Sequence, residues 1–290
     1  MSMGIGRRLR ERARWHLGLG SALERLGELE QELRTTNSRH EDLRRRVRDI
    51  EELAAASAWT PLLAPSSTLI SIVMPTRNRA QLLPGAVATI LTQSHANWEL
   101  LIVDDASDDD TPAVIEQLGD PRIRGLRSTG GPGASIARAV ALEHARGEIV
   151  AYLDDDNLMA PGWLHTVACA FDRDPALELA YGAQVREDAD GRPGIEFVPW
   201  DRALLERHNF MDQNVIAHRR GLAGMHYDPA LKFCSDWDMA LRATRDTTPL
   251  AIPAIAVIYR VDAPGRLSED PAASVMWHEI AQRARAADPA

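Results

Sequence analysis

The fold of this chain is decided by three apolar stretches, LISIVMP at 69–75, WELLIVDD at 98–105 and EIVAYLDDD at 148–156. Each is a short and nearly continuous apolar run, as expected of a strand that is buried on both faces of a sheet. Such strands are typical of parallel sheets, in which helical connections cover the two faces. The three stretches therefore predict the central strands of a parallel sheet.

The segments between these stretches have helical patterns. We expect helices at 80–93, 109–118, 134–146 and 161–172, and a further short strand near 122–127. This alternation predicts an α/β domain with a mostly parallel, Rossmann-like sheet and helices on both faces. We place this domain at residues 68–262, followed by a C-terminal helical tail at 263–290.

Residues 1–53 are expected to form an N-terminal helical arm, joined to the domain by a linker at 54–67 that contains two prolines. A heptad pattern runs through the arm in two series, Leu26, Leu33, His40, Val47 and Leu29, Thr36, Leu43, Ile50. The pattern favours a coiled coil and a homo-oligomer, and the alternative is a single helix packed along the domain. The five arginines between Arg7 and Arg14 predict contact with an anionic membrane surface.

Charge and composition limit the classes of function. The net charge is −9, and the 12 arginines and 10 acidic residues through Leu53 leave −11 on the remainder. An acidic body argues against nucleic acid as a partner and suits carboxylates gathered around a divalent cation. We expect no transmembrane segment or secretory signal. The two cysteines, Cys169 and Cys234, match no zinc spacing, and a cytoplasmic protein, peripheral at the inner face of a membrane, is expected.

Polar clusters follow each of the three apolar stretches. They are Pro75-Thr76-Arg77-Asn78, Asp104-Asp105 and Asp154-Asp155-Asp156-Asn157. In a parallel sheet all three clusters lie along one edge, where five carboxylates would repel one another unless a cation lies among them. The sequence therefore predicts a Mg²⁺ or Mn²⁺ site that also uses substrate phosphates.

Two other acidic segments have a structural interpretation. Ser107-Asp108-Asp109-Asp110 is interpreted as a helix start of the capping-box type, with no catalytic role. In SDWD at 235–238, Ser235 and Asp238 also have capping-box spacing. This interpretation leaves Asp236 without a structural role and makes it a candidate for chemistry.

The quoted motifs resemble those of family-2 glycosyltransferases with the GT-A fold. SIVMPTRNRAQLLPGAVATILTQSHANWELLIVDDASDDDTPAVI is similar to the opening of that family, and ARGEIVAYLDDDNLMAPGWL to its aspartate-rich DXD region. The resemblance runs from about residue 69 to 185 and resumes at FCSDWDMALR, 233–242. It implies an inverting, metal-dependent enzyme that uses a nucleotide-sugar donor.

The resemblance implies a donor site. Pro75, Thr76 and Asn78 would line the base and ribose, and Asp105, next to Asp104, would contact the base, typically uracil. Asp155 would meet the ribose side, Asp156 would bind the metal, and Arg138 would lie near the donor sugar and phosphates. Asp154 is the alternative to Asp156, because three consecutive aspartates allow two registers.

The resemblance also implies an acceptor side. Asp236 would be the general base, with Ser235 in place of the family's usual glutamate, and Trp237 and Asp238 would contact the acceptor. Ala139 replaces an asparagine common in the family, and Asp262 stands where many relatives have histidine, as a possible metal or donor contact.

These features predict transfer of a sugar to a carbohydrate, lipid-linked or small-molecule acceptor. The resemblance implies that the donor is a UDP-sugar. Two alternatives stay open at this point. A non-catalytic nucleotide-binding scaffold is favoured by the Ala139 and Ser235 departures. A nucleotidyltransferase is disfavoured because PTRNRAQ lacks the glycine run typical of that class.

Overall fold

The computed structural model describes residues 65–128, 133–187, 193–228, 231, 233–260, 276–277, 279–280 and 282. The predicted arm, the linker through residue 64, and Asp262 lie outside the described residues. Within them, no helix has both the length and the apolar character that crossing a bilayer requires.

The first half of the sheet consists of four strands, β1 (Ile70–Thr76), β2 (Trp98–Asp104), β3 (Ile123–Arg127) and β4 (Ile149–Tyr152). They are parallel and lie side by side in the order β3-β2-β1-β4. The predicted parallel sheet is thus confirmed for these strands. β4 ends earlier than the predicted 156, because the N–H of Asp154 donates to the side chain of Asn214 rather than to a strand.

Four helices follow these strands and continue the alternation, α1 (Leu83–Leu91), α2 (Thr111–Gln117), α3 (Ala134–His144) and α4 (Trp163–Arg173). The predicted helices at 80–93 and 109–118 begin too early. α1 and α2 each carry a proline in the first two helical positions. Proline is favoured there because its missing N–H has no partner within the helix.

The second half of the sheet is mixed. It contains β5 (Leu158–Met159), β6 (Leu179–Glu187), β7 (Pro193–Glu196), β8 (Ile216–Arg219) and β9 (Leu250–Tyr259). The order continues from β4 as β8-β6-β9-β5, with β7 paired to β6. β8 runs antiparallel to both β4 and β6. Two short elements precede β8, α5 (Arg202–Leu205) and a 3₁₀ turn (Gln213–Val215), and α6 (Ser235–Ala243) follows it.

Strand order places a crevice between β1 and β4. The chain moves from β1 to β2 to β3 in one direction, and then returns to β4 on the other side of β1. Right-handed connections place α1 and α2 on one face of the sheet and α3 on the other. Connections therefore diverge at the carboxyl ends of β1 and β4, where open α/β sheets bind ligands.

A buried polar cluster fixes the opposite, amino end of the sheet. The hydroxyl of Ser71, 0% exposed, donates to Glu99 at 2.7 Å and accepts from the N–H of Gly147 at 2.8 Å. Arg124 pairs with Glu99 at 3.3 Å. A Cβ at Gly147 would lie 2.5 Å from the Ser71 nitrogen, so only glycine allows this approach. The cluster belongs to the architecture, because it lies at the end of the strands remote from the crevice.

Candidate active site

The loops after β1 and β2 are joined through Asn78. Its N–H donates to the hydroxyl of Ser107 at 2.9 Å, and its side-chain oxygen accepts from the N–H of Asp108 at 2.9 Å. Asn78 has a positive φ of 53°, which asparagine tolerates better than most residues. The predicted capping box of residues 107–110 is therefore wrong, because Ser107 bonds the neighbouring loop. The N-cap of α2 is Asp110, which makes no side-chain cap hydrogen bond.

The two aspartates that end β2 have different surroundings, although both are 4% exposed. Asp104 accepts from the N–H of Ser107 at 3.0 Å and so stabilises its own loop. Oδ2 of Asp105 accepts from the N–H of Gly133 at 2.7 Å. The other oxygen, Oδ1, is buried without a hydrogen-bond partner among the described residues. Asp105 therefore carries an unsatisfied acceptor at the sheet edge, beside Thr76, whose carbonyl accepts from the Asp105 N–H at 2.8 Å. Pro75 lies one residue earlier in β1, opposite Val103.

The acidic loop, Asp154–Asn157, turns its three aspartates in different directions. Asp155, 7% exposed, accepts from the hydroxyl of Thr76 at 2.6 Å across the crevice. Asp154 accepts from Arg138 at 2.5 Å through Oδ1 and from Asn214 at 3.1 Å through Oδ2. Asp156 lies 3.8 Å from a guanidinium nitrogen of Arg79. Both oxygens of Asp154 are thus engaged within the protein.

The acidic loop carries an excess of negative charge. Burial, together with the charges of Asp156 and Asp154, raises the pKa of Asp155 to about 7, against the lowering effect of the Thr76 hydrogen bond. A cation near the loop would relieve this repulsion. The described residues contain no group of three or more His, Cys, Asp or Glu side chains arranged to hold a metal. Mg²⁺ usually takes only one or two protein carboxylates and completes its shell with phosphates and water, and the raised pKa of Asp155 is consistent with a loop that receives such a cation.

Asp236 lies in the first turn of α6, close enough to Arg138 for their charges to interact. Its carboxylate is partly buried and accepts from the side-chain amide of Asn209 at 2.9 Å. Burial raises the pKa of Asp236, although hydrogen bonds from Trp237 and Asn209 and the charge of Arg138 oppose the shift. A carboxylate with a raised pKa is a better proton acceptor than an ordinary surface aspartate, so the position suits a general base.

The predicted capping box at the start of α6 is also wrong. The N-cap is Cys234, which has a positive φ of 55° and makes no side-chain cap hydrogen bond. Ser235 instead accepts from the hydroxyl of Ser135 in α3 at 3.0 Å. This contact ties α6 to α3, the helix that carries Arg138.

Arg138 connects the acidic loop with Asp236. Its side chain is 11% exposed and its Nε has no hydrogen-bond partner among the described residues. Burial lowers the pKa of the guanidinium, but the charges of Asp154, Tyr227 and Asp236 raise it by more. Arg138 is therefore held as a cation by Asp154, within electrostatic reach of Asp236, and its buried Nε–H has no hydrogen-bond partner among the described residues.

Of the two predicted acceptor contacts, Trp237 lies in the core, whereas Asp238 stays a prediction. Trp237 is 0% exposed, its indole N–H donates to the carbonyl of Leu205 at 2.7 Å, and its ring packs 5.1 Å from that of Trp277. No face of the ring is open to stack on a sugar, so Trp237 belongs to the core. Asp238 forms an ion pair with Arg242 at 2.8 Å, one turn further along α6.

Sequence patterns gave no indication of four polar residues around this site. Asn209 bonds Asp236, and Asn214 bonds Asp154. Asp212 accepts from Asn214 at 2.7 Å, and burial, reinforced by the charges of Asp236 and Asp154, raises its pKa to about 6. Tyr227 is 7% exposed and interacts electrostatically with Arg138. They lie on irregular segments, where no periodicity marks a buried polar residue.

Comparison with known proteins gives a family match over the segment that builds the crevice. The family model described as Glycosyl transferase family 2 matches residues 71–221, just over half of the 290 residues. Escherichia coli WfgD, "UDP-Glc:alpha-D-GlcNAc-diphosphoundecaprenol beta-1,3-glucosyltransferase", is 39% identical over 90 residues, 31% of this chain and 36% of that protein. WcaA of E. coli K12, a putative colanic acid biosynthesis glycosyl transferase, is 29% identical over 61% of this chain and 66% of its own.

Solved structures show the same fold. Staphylococcus aureus TarS 1–349 in complex with UDP-GlcNAc superposes with a TM-score of 0.61 at 18% identity, over 73% of this chain and 64% of that one. The mannosyltransferase PcManGT of Pyrobaculum calidifontis, solved with GDP-Man and Mn²⁺, has a TM-score of 0.54 at 20% identity, over 76% and 70% of the two chains. This chain spans about one third to two thirds of the length of the two curated relatives described above.

Proposed function

Since this chain belongs to glycosyltransferase family 2, we propose that it transfers a sugar from a UDP-sugar to an acceptor hydroxyl, with inversion and with the help of a divalent metal ion. The observation that carries the proposal is the position of Arg138. It pairs with Asp154 of the acidic loop and is also within electrostatic reach of Asp236. One buried cation thus joins a site suited to a nucleoside diphosphate with a site suited to a general base.

The donor base would be recognised by Asp105. Its unpartnered Oδ1 can accept from a ring N–H, and uracil carries one such group at N3. Thr76 and Asp155 lie at the switch point between β1 and β4, where the ribose and phosphates of a nucleotide are expected to bind. Asn78 would contribute by fixing the loop that borders the base, since its side-chain oxygen bonds the next loop.

The divalent ion would be held by Asp156. Both oxygens of Asp154 accept hydrogen bonds within the protein, and one oxygen of Asp155 is bonded to Thr76. Asp156 matches the aspartate that the DXD region of the family offers to a metal, and it would hold the ion here in addition to, or in place of, its ion pair with Arg79. When bound, Mg²⁺ or Mn²⁺ would stabilise the negative charge that grows on the leaving diphosphate. The free N–H of Arg138 would add to that stabilisation.

The acceptor hydroxyl would be activated by Asp236. A carboxylate here would take the proton as the oxygen attacks the anomeric carbon and the bond to the diphosphate breaks. One base and no covalent intermediate give inversion of the anomeric centre. The names of the relatives point to envelope polysaccharides, and WfgD acts on a diphosphoundecaprenol-linked sugar. We therefore propose a lipid-linked carbohydrate as the acceptor class.

The proposal is tested by measuring UDP-sugar turnover and UDP binding with excess Mn²⁺, excess Mg²⁺ or EDTA. We expect UDP to raise the melting temperature more when a divalent ion is present than in EDTA, because a ligand that binds the native state stabilises it. Metal-dependent binding without donor hydrolysis or transfer would instead favour the non-catalytic scaffold. A preference for GDP over UDP would contradict the proposed donor.

A further inference from the structure

Asn214 occupies a position that the sheet register determines. β8 pairs antiparallel with β4, with Ile149 opposite Arg219 and Ala151 opposite Ala217. Continuing this register by three residues brings Asn214, in the 3₁₀ turn before β8, opposite Asp154. The backbone ladder has ended by then, and the side chain of Asn214 replaces it by accepting from the N–H of Asp154 at 2.6 Å.

The side-chain amide of Asn214 is 1% exposed, and its oxygen and both of its N–H groups are engaged. The oxygen accepts from the Asp154 N–H, and the NH₂ group donates to Asp154 Oδ2 at 3.1 Å and to Asp212 Oδ1 at 2.7 Å. The amide therefore holds Asp154 by its backbone and by its carboxylate at the same time. An amide is required, because only it supplies one acceptor and two donors in this geometry.

We infer that Asn214 is a positioning residue for donor binding, which fixes Asp154 and thereby holds the carboxylates of the acidic loop in place for the metal and the diphosphate. The inference rests on the proposed function. Without Asn214, Asp154 keeps only Arg138 as a partner, and its N–H loses a buried acceptor. The acidic loop is then no longer fixed at Asp154, so the carboxylates that would hold the metal lose their position.

The test is UDP binding by calorimetry, with excess Mn²⁺ and with EDTA, for the wild type, Asn214→Ala and Ser71→Ala. We expect Asn214→Ala to lose about tenfold to hundredfold in UDP affinity with Mn²⁺, the usual effect of removing a group that orients a metal ligand. Affinity in EDTA should not change, because the base contact at Asp105 does not involve Asn214. Ser71→Ala also removes buried hydrogen bonds, but at the remote end of the sheet, and both affinities should match the wild type.

A second pair of variants keeps the test valid if Asn214→Ala does not fold. Asn214→Asp has the same shape but lacks both donors and adds a carboxylate beside Asp154 and Asp212, so it should lose metal-dependent affinity at least as strongly. In an Asp154→Asn background, Asn214→Ala should have a smaller effect than in the wild type, because residues that act through one contact are not additive.

The outcomes separate this inference from the proposed function. A wild type whose UDP affinity is equal in Mn²⁺ and EDTA would overturn the metal-assisted function and the inference together. If the UDP affinity of the wild type depends on Mn²⁺ and that of Asn214→Ala is the same as the wild type's, the inference alone is overturned. If Asn214→Ala loses UDP affinity equally in Mn²⁺ and in EDTA, Asn214 only stabilises the fold, and the inference is again overturned.

Discussion

The hydroxyl of Thr76 donates to Asp155 Oδ2 at 2.6 Å and so joins the ends of β1 and β4 across the crevice. Thr76 is 3% exposed, so the loss of its hydroxyl would leave the carboxylate without a donor in a buried position. Thr76→Val should therefore lower the free energy of unfolding by about 1–3 kcal/mol, the cost of an unsatisfied buried group. Urea denaturation measures this change, and Thr76→Ser, which keeps the hydroxyl, should lie closer to the wild type than Thr76→Val.

Removal of the Asp156 carboxylate should abolish metal-dependent UDP binding. The expected result for Asp156→Ala is equal UDP affinity with Mn²⁺ and with EDTA, measured by calorimetry. Asp110→Ala is a matched control, because Asp110 is an exposed aspartate at the start of α2 that makes no cap hydrogen bond. An Asp156→Ala variant that still binds UDP more tightly with Mn²⁺ would exclude Asp156 as the metal ligand.

Asp236→Asn should keep donor binding and lose turnover. The amide cannot accept a proton, so kcat should fall by roughly two to four orders of magnitude, the usual scale for a lost general base. Asp238→Asn is the control, because Asp238 is paired with Arg242 and should affect mainly stability. If Asp238→Asn is the inactive variant and Asp236→Asn is active, the base has been assigned to the wrong aspartate.

The pH dependence of activity should report the raised pKa of Asp236. Its base form is lost as pH falls through that pKa, so the acid limb of kcat/KM should lie above the ordinary aspartate pKa of about 3.9. An acid limb at or below the ordinary value would contradict this expectation.

The raised pKa of Asp236 favours its role as a base, but it makes the folded protein less stable at neutral pH. A folded-state pKa above the unfolded value gives stability that is present at low pH and is lost as pH rises through the folded pKa. Asp236→Asn should therefore be more stable than the wild type at neutral pH, and the difference should shrink below the unfolded pKa. Thermal unfolding at several pH values measures it, and a difference independent of pH would count against a buried charge at this position.

The N-terminal arm stays a prediction from the heptad pattern of residues 26–50. A chain that begins at residue 60 should remain folded and run as a monomer, whereas the full chain should self-associate, because the apolar seam needs a partner helix. Light scattering that gives the same mass per particle for both chains would rule out the coiled coil. Binding of the full chain to anionic liposomes should weaken as the salt concentration rises if the arginines between Arg7 and Arg14 mediate it.

Local patterns were sufficient for the parallel half of the sheet. The apolar runs at 69–75, 98–105 and 148–156 correspond to β1, β2 and β4, because strands buried on both faces are predominantly apolar. The position of the aspartates at one sheet edge follows from the same argument, since parallel strands end on the same side.

The predictions of local capping boxes were wrong where the serine hydroxyl bonds a residue that is distant in sequence. Ser107 and Ser235 both have capping-box spacing, but their hydroxyls bond Asn78 and Ser135, which are far away in sequence. Trp237 adjoins the proposed base in sequence, yet its side chain points into the core. Sequence spacing cannot show whether a side chain bonds a neighbouring residue or a chemically similar residue that folding brings close.

The sequence by itself determined the α/β sheet, the acidic edge and the family. Only the tertiary structure decided what each aspartate does: Asp154 is held by Arg138 and Asn214, Asp155 by Thr76, and Asp236 by Asn209. The reason is physical. Strand and helix follow from periodicities within a few residues, whereas the charge state and direction of a carboxylate depend on groups such as Asn214, 60 residues from Asp154, that chain folding brings into contact.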